Sequence, residues 1–136
     1  MSKERLYLGK PRSCAQERGK SGEEVATNLL KENGYKILAR NYKSKLGEID
    51  IIALDKDTVC FVEVKTRHSD RFGSANEAVL ESKQRQISKV ALAFLKEKNL
   101  LDKKARFDVV SIMYSKGIPG LDLIKDAFEL SGDFTY

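Results

Sequence analysis

Asp50, Glu63 and Lys65 are the residues of this chain whose types and spacing point most directly to chemistry. They stand inside or at the edge of two short apolar runs, 49–54 and 59–64, which flank a polar turn at 55–58. Runs rich in Ile, Val and Phe, bounded by turn formers, read as a strand hairpin. An ionised group in a mostly buried strand costs on the order of several kcal/mol, comparable with the net stability of a whole domain. Three such groups in one hairpin therefore require mutual pairing or a metal. Glu63 and Lys65 are two apart, so they leave the sheet on one face. Asp50 lies on the neighbouring strand, and a suitable register sets it beside Glu63. Two converging carboxylates are hard ligands that suit Mg²⁺ or Mn²⁺. An ammonium next to them can orient or deprotonate a water, or offset charge on a phosphorus centre.

The elements that must hold these groups are legible around them. Ser21 or Gly22 can open a helix running to Asn33, with Gly34 as its stop. Val25, Ala26, Leu29 and Leu30 form its apolar stripe. Glu23 heads that stripe and can reach the sheet, whereas Glu24 falls on the polar face. Taken alone, Glu23 reads more simply as ordinary first-turn charge placement. A strand follows at 35–43, where Arg40, Asn41, Tyr42 and Lys43 suit either phosphate contact or a solvated strand end. After the hairpin comes a polar loop with Arg67, His68 and Arg71; the arginines could hold flanking phosphates, and His68 reads as a loop histidine. Ser74-Ala75-Asn76-Glu77 fits a capping box and opens a long helix to Lys98 or Asn99, with Leu80, Ile87, Val90, Ala91, Phe94 and Leu95 facing the sheet. Lys83 interrupts that stripe, either as a stem at its edge or as a phosphate contact. A strand at 106–114 carries Asp108, either a further ligand or, more simply, a partner of Arg106 or a neighbouring lysine. A Gly117-Ile118-Pro119-Gly120 turn and a short edge strand at 121–124 complete the pattern.

The spacing Asp50, then Glu63-Val64-Lys65, resembles the PD-(D/E)xK core of restriction-endonuclease-like nucleases. The wider string resembles the bacterial YraN family: Gly22-Glu23, Gly34-Tyr35, Asn41-Tyr42, Gly47-Glu48-Ile49-Asp50, Phe61-Val62-Glu63-Val64-Lys65-Thr66-Arg67, Lys83, and Arg106-Phe107-Asp108-Val109-Val110. Ile49 stands where the wider superfamily has proline, a feature that the YraN pattern shares. The resemblance implies an α/β, restriction-endonuclease-like mixed sheet of about five strands flanked by helices, in the order α-β-β-β-α-β-β. It implies a metal-dependent endonuclease in which Asp50, Glu63, the Val64 backbone carbonyl and, at longer reach, Glu23 bind Mg²⁺ (or Mn²⁺) and Lys65 serves the attacking water. Its catalytic set is thus Glu23, Asp50, Glu63 and Lys65, with Arg67, Arg71, Lys83, Tyr42 and Lys43 on the nucleic acid. Similarity to archaeal Holliday junction resolvases extends the expectation to branched DNA in repair or recombination, cut by a homodimer.

Size and composition agree with one domain of about this span: a basic, loosely ordered tail at 1–18, the nuclease-like domain at 19–128, and a tail at 129–136. An apolar fraction of 41% is normal for a globular chain. No apolar stretch approaches membrane length and no signal peptide is evident, so a cytoplasmic protein is expected, without a membrane partner. Cys14 and Cys60 make neither a disulfide framework nor a zinc site. The net charge of +5 and pI near 9.2 permit a polyanionic partner such as DNA. The excess lies in residues 1–22, with six Lys/Arg against two Glu. That segment is either a solvated extension or a phosphate-contacting arm. Two other readings compete with the enzyme. One is a non-cleaving nucleic-acid-binding or adaptor protein on a nuclease-like fold; the other is a buried ionic network of Asp50, Glu63 and Lys65 without metal.

Overall fold

A computed structural model of the chain describes residues 4–9, 21–68, 81–115 and 118–128. Strand β1 (Glu4–Gly9) precedes helix α1 (Gly22–Glu32). Three strands follow, β2 (Lys36–Ser44), β3 (Gly47–Asp55) and β4 (Thr58–His68), then helix α2 (Glu81–Glu97) and strands β5 (Lys104–Ser115) and β6 (Ile118–Phe128). From α1 onward this is the expected order, α-β-β-β-α-β-β. The sheet is mixed and runs β1-β6-β5-β4-β3-β2. Among the described strands only β4 and β5 pair in parallel; a parallel pair needs a crossover, and α2 lies in it.

Two findings correct the sequence expectation. Residues 4–9 are not a loose tail but a strand, paired antiparallel with β6 from Glu4↔Lys125 to Gly9↔Leu121. The last strand is therefore not an edge, and it spans eleven residues because Ile118 to Gly120 continue the ladder against Ser115 to Met113. The tail at 129–136, the capping box at 74–77 and Arg71 lie outside the described residues.

Helix α1 begins where Ser21 caps it, accepting the Glu24 amide at 3.2 Å. It stops at Asn33, followed by Gly34 at φ +90°, a conformation that glycine adopts at little cost. Its apolar stripe packs on one face of the sheet with Ile51, Ala53, Cys60, Val62, Val110 and Ile112. Helix α2 covers the opposite face, where Ile87, Val90, Ala91 and Phe94 meet Ile49, Ile52, Phe61 and Val109. The central strands are thus buried on both faces, which explains their near-continuous apolar composition. Burial pushes the Cys60 thiol up to about 12, so it stays a neutral core residue.

Beside β4 a polar network is built on β5. Asp108 is fully buried and accepts Arg106 Nε at 2.9 and 3.0 Å and the Asp126 amide at 3.0 Å. Arg106 also donates to Asp55 at 2.9 Å and to the Tyr35 hydroxyl at 3.2 Å. The sequence pairing of Asp108 with Arg106 is the observed one.

Candidate acidic site

The site is built by an irregularity in β3. Strand alternation puts Ile51 and Ala53 on the α1 face and Ile52 on the α2 face. Ile49 also faces α2, so alternation fails between 49 and 51, at Asp50. The same residue marks a parting of the ladder. The β3–β4 pairing proceeds from Asp55↔Thr58 to Ile51↔Val62 and goes no further. One step on, Asp50 and Glu63 are the next opposing positions. In place of a main-chain partner there, the Val64 amide donates to Asp50 Oδ2 at 2.9 Å. On the other side, β2 pairs with β3 at Arg40↔Ile51 and Tyr42↔Ile49 but skips the position between. That position is Asn41, at φ +49°, a left-handed conformation that Asn tolerates better than most residues. Asn41, Asp50 and Glu63 therefore form one row across three strands.

Side chains converge on this row from both helices. Glu63 lies on the α2 face with Phe61, and Lys83 of α2 reaches its Oε1 at 3.7 Å. From the α1 side, the Glu23 carboxyl comes close enough to Asp50 to feel its charge. It is raised above the usual carboxylate range, by burial first and then by Asp50, while Asn41 and Arg40 draw it down. Burial and then the Asp50 charge likewise raise Glu63, with Lys83 and Lys65 pulling the other way. The local excess is thus negative charge in a partly buried setting, held in check by two lysines.

Gly22 sets how closely α1 approaches. A Cβ at this position would lie 2.6 Å from Thr66 Oγ1 and 3.4 Å from Ile112 Cδ1. Gly22→Val is accordingly expected to cost ~1–3 kcal/mol through overpacking and to push the first turn, with Glu23, off the sheet. Chemical denaturation measures the first effect; loss of the Glu23 contact would show as a return of its titration toward the ordinary value by NMR.

Glu23 from the α1 side and Glu63 on the α2 face each lie near enough to Asp50 to feel its charge, with Lys65 on the Glu63 strand face and Lys83 in an ion pair with Glu63. The backbone group of Val64 that it records at Asp50 is the amide. Arg67 follows Lys65 on that face, and its Nε is buried with no hydrogen-bond partner among the described residues. Lys43 is exposed and pairs in the ladder with Glu48. Tyr42 is occupied inside the fold: its ring meets Phe94 edge-on at 5.2 Å and its hydroxyl donates to Glu97 at 3.2 Å. The sequence grouped Asn41 and Arg40 with a phosphate contact or a solvated strand end, and did not place them beside Glu23, on which the Arg40 charge acts. An Asn-Tyr pair late in a strand, as far from the 44–47 turn as Asp50 is on the other side, was the available signal.

As a set of donors the row fits a hard divalent cation. Two adjacent-strand carboxylates with an excess of negative charge match the way Mg²⁺ is held, through one or two carboxylates plus water and phosphate oxygens. Among the described residues, no three His, Cys, Asp or Glu side chains close on a point as a dedicated protein cage would.

Fold and site together define a mixed-sheet α/β domain with an acidic row where β3 and β4 part. The chain belongs to the family described as "Uncharacterised protein family UPF0102", whose model matches residues 22–112. A UPF0102 protein of Syntrophus aciditrophicus is 50% identical over 113 residues, covering 83% of this chain and 89% of that one. The Geobacter metallireducens relative is also 50% identical, with 83% and 93% covered. One from Caldicellulosiruptor saccharolyticus is 45% identical, with 83% and 98% covered. Among solved structures, Pyrococcus furiosus SfsA in complex with Ca²⁺ aligns at a TM-score of 0.38 and 15% identity, covering 83% of this chain and 63% of that one. Among the described residues no helix is long and apolar enough to cross a membrane.

Proposed function

We propose that the chain is a divalent-metal-dependent nuclease that hydrolyses DNA phosphodiesters, with branched DNA such as four-way junctions as its substrate class. The observation that carries the reading is the row itself: Asp50 opposite Glu63 where the ladder opens, with Asp50 fixed by the Val64 amide. Asp50 and Glu63 would hold Mg²⁺ or Mn²⁺, with the Val64 carbonyl and Glu23 as further donors. A cation held there supplies neutralisation of the charge that develops on the phosphoryl oxygens. Lys65, on the Glu63 face, orients the attacking water and takes up or returns its proton. Water oxygen bonds to phosphorus as the bond to the 3′ oxygen breaks, leaving a 5′-phosphate and a protonated 3′-hydroxyl. Paired cuts in a two-fold junction call for a homodimer. Lys83 supports Glu63, and Arg67, Arg71 and Lys43 contact flanking phosphates.

One observation favours a non-cleaving binder instead: Glu63 already has a cationic partner in Lys83. The two readings separate on a panel of junction, flap, single-stranded and duplex DNA with Mg²⁺ or Mn²⁺. The nuclease reading expects cutting of at least one substrate by wild type, its loss in Lys65→Ala, and none in chelator. Binding without metal-dependent cutting on every substrate selects the adaptor.

A further inference from the structure

Beside the acidic row lies a second feature. The β2–β3 turn is tight: Ser44 faces Gly47, and the Ser44 hydroxyl accepts the Leu46 amide at 3.1 Å. Lys45 and Leu46 are its two tip residues, both exposed, Leu46 at 48%. The tip rests on α2 through Gly47. A Cβ there would fall 2.9 Å from the Gln86 side chain, and its φ of +145° is one that other residues rarely adopt. Between tip and helix is an open cleft of about 640 Å³, lined by Lys45, Leu46, Lys83, Arg85, Gln86 and Lys89 among others. Four of these six are cationic. Glu81 meets Arg85 at 3.7 Å, but both side chains are largely exposed, and such a pair screens little charge. Lys83 is shared with the acidic row through its bond to Glu63.

We infer that this cleft is the track for the DNA strand that leaves the acidic row, with Lys45, Arg85 and Lys89 on successive phosphates; the inference rests on the nuclease reading for its substrate. The lining runs along α2 from Ser82 to Lys89, about 10 Å at 1.5 Å per residue. At ~3.4 Å of rise per nucleotide that is about three phosphates. Cations on both walls suit a chain of phosphates better than one anion. The exposed Leu46 adds an apolar lip, which suits the sugar and base faces of a strand and offers nothing to free phosphate. Gly47 fixes the spacing of the walls by letting the tip settle on Gln86.

The test measures binding without catalysis. Anisotropy of a fluorescein-labelled four-way junction and of a labelled single strand is followed in EDTA, with the full chain, over a salt series. The variant Lys45→Ala/Arg85→Ala/Lys89→Ala alters only exposed side chains. It is expected to weaken binding on the order of 10²-fold near 0.1 M salt and to flatten the slope of log K against log salt by about two to three. Lys45→Arg/Lys89→Arg should bind as wild type does. Lys31→Ala/Lys36→Ala/Lys103→Ala, with the same charge removed from exposed positions elsewhere, should change binding by less than about threefold. Inorganic phosphate should compete no more than its ionic strength accounts for. The inference is overturned if the cleft variant keeps the wild-type slope, if the control loses as much, if phosphate alone displaces the DNA, or if wild type binds no DNA. Cleavage by Asp50→Asn, which keeps the cleft, would count against the nuclease reading and leave this result untouched.

Discussion

Glu63→Gln is expected to lose metal-dependent cleavage by on the order of 10³-fold and yet to melt above the wild type in metal-free buffer at neutral pH. The loss follows from removing one of two anionic donors, since the stabilisation supplied at such a site is several kcal/mol and each ~1.4 kcal/mol is tenfold in rate. The gain follows from electrostatics. Glu63 is largely buried, its side chain 13% exposed, and burial together with Asp50 raises it above its ordinary 4.5. A carboxyl raised in the folded state binds its proton more tightly there than in the unfolded chain. Its ionised form therefore opposes folding. That penalty is complete above the folded-state value and fades as pH falls through it toward 4.5. Glutamine carries no charge and escapes it, at the cost of Lys83, which at 41% exposure remains solvated. Each ~1 kcal/mol recovered raises the midpoint by roughly 3–5 °C, and the difference between the two proteins should shrink on acidification. Added Mg²⁺ should stabilise wild type and leave the variant unmoved. A variant that melts below wild type without metal would make Glu63 part of a structural ion pair with Lys83, and the nuclease reading would lose its main donor.

This tension between stability and charge is what made the site legible in sequence. Acids within Ile- and Val-rich runs conflict with burial, and such conflicts concentrate at functional positions. Pattern also placed Glu23 on the inward side of α1, where it meets Asp50. It could not show that β3 loses its alternation at Asp50, because the break is made by neighbours: Asn41 in a left-handed conformation on one side and the Val64 amide on the other. The edge of the sheet was hidden for a related reason. The segment Glu4–Gly9 offers only three apolar residues of six, and what makes it a strand is the backbone of β6, more than a hundred residues away in the chain. Gly117-Ile118-Pro119-Gly120 has turn composition, yet residues from Ile118 on extend β6 against β5. The basic cleft was equally out of reach. Lys45 and Lys89 lie more than forty positions apart, and only the docking of the β2–β3 turn on α2 joins them.

The largest effect on stability should come from the buried Arg106–Asp108 network. Asp108→Ala is expected to cost ~3–5 kcal/mol, the range for breaking a buried pair by removing one partner. Burial is the strongest influence on the Asp108 carboxyl and raises it, while Arg106 and the Asp126 amide draw it down. Alanine would leave the Arg106 guanidinium, 18% exposed, without its closest counter-ion, and the Asp126 amide without the acceptor it has at 3.0 Å. Asp55 and Tyr35 would still hold Arg106, which places the loss within that range and not beyond it. For a chain of this size the melting midpoint should fall by on the order of 10 °C or more. Asp108→Asn keeps an acceptor for the amide and should lose less. The network ties β3, β5, β6 and Tyr35, the residue before β2. Asp108 is level with Val62, one position from Glu63, but Phe107 and Val109 face α2, so its side chain lies on the other face from Glu63. Its partners lead away from Asp50 to Asp55, five positions on. Any Asp108→Ala protein that remains folded at low temperature should therefore cleave at a rate near that of wild type. An Asp108→Ala midpoint within a degree or two of wild type would mean that Arg106 is satisfied by Asp55 alone. A stable variant that had lost cleavage would instead show that the Arg106 network and the acidic row are coupled, and the separation of a structural from a chemical group of charges would fail.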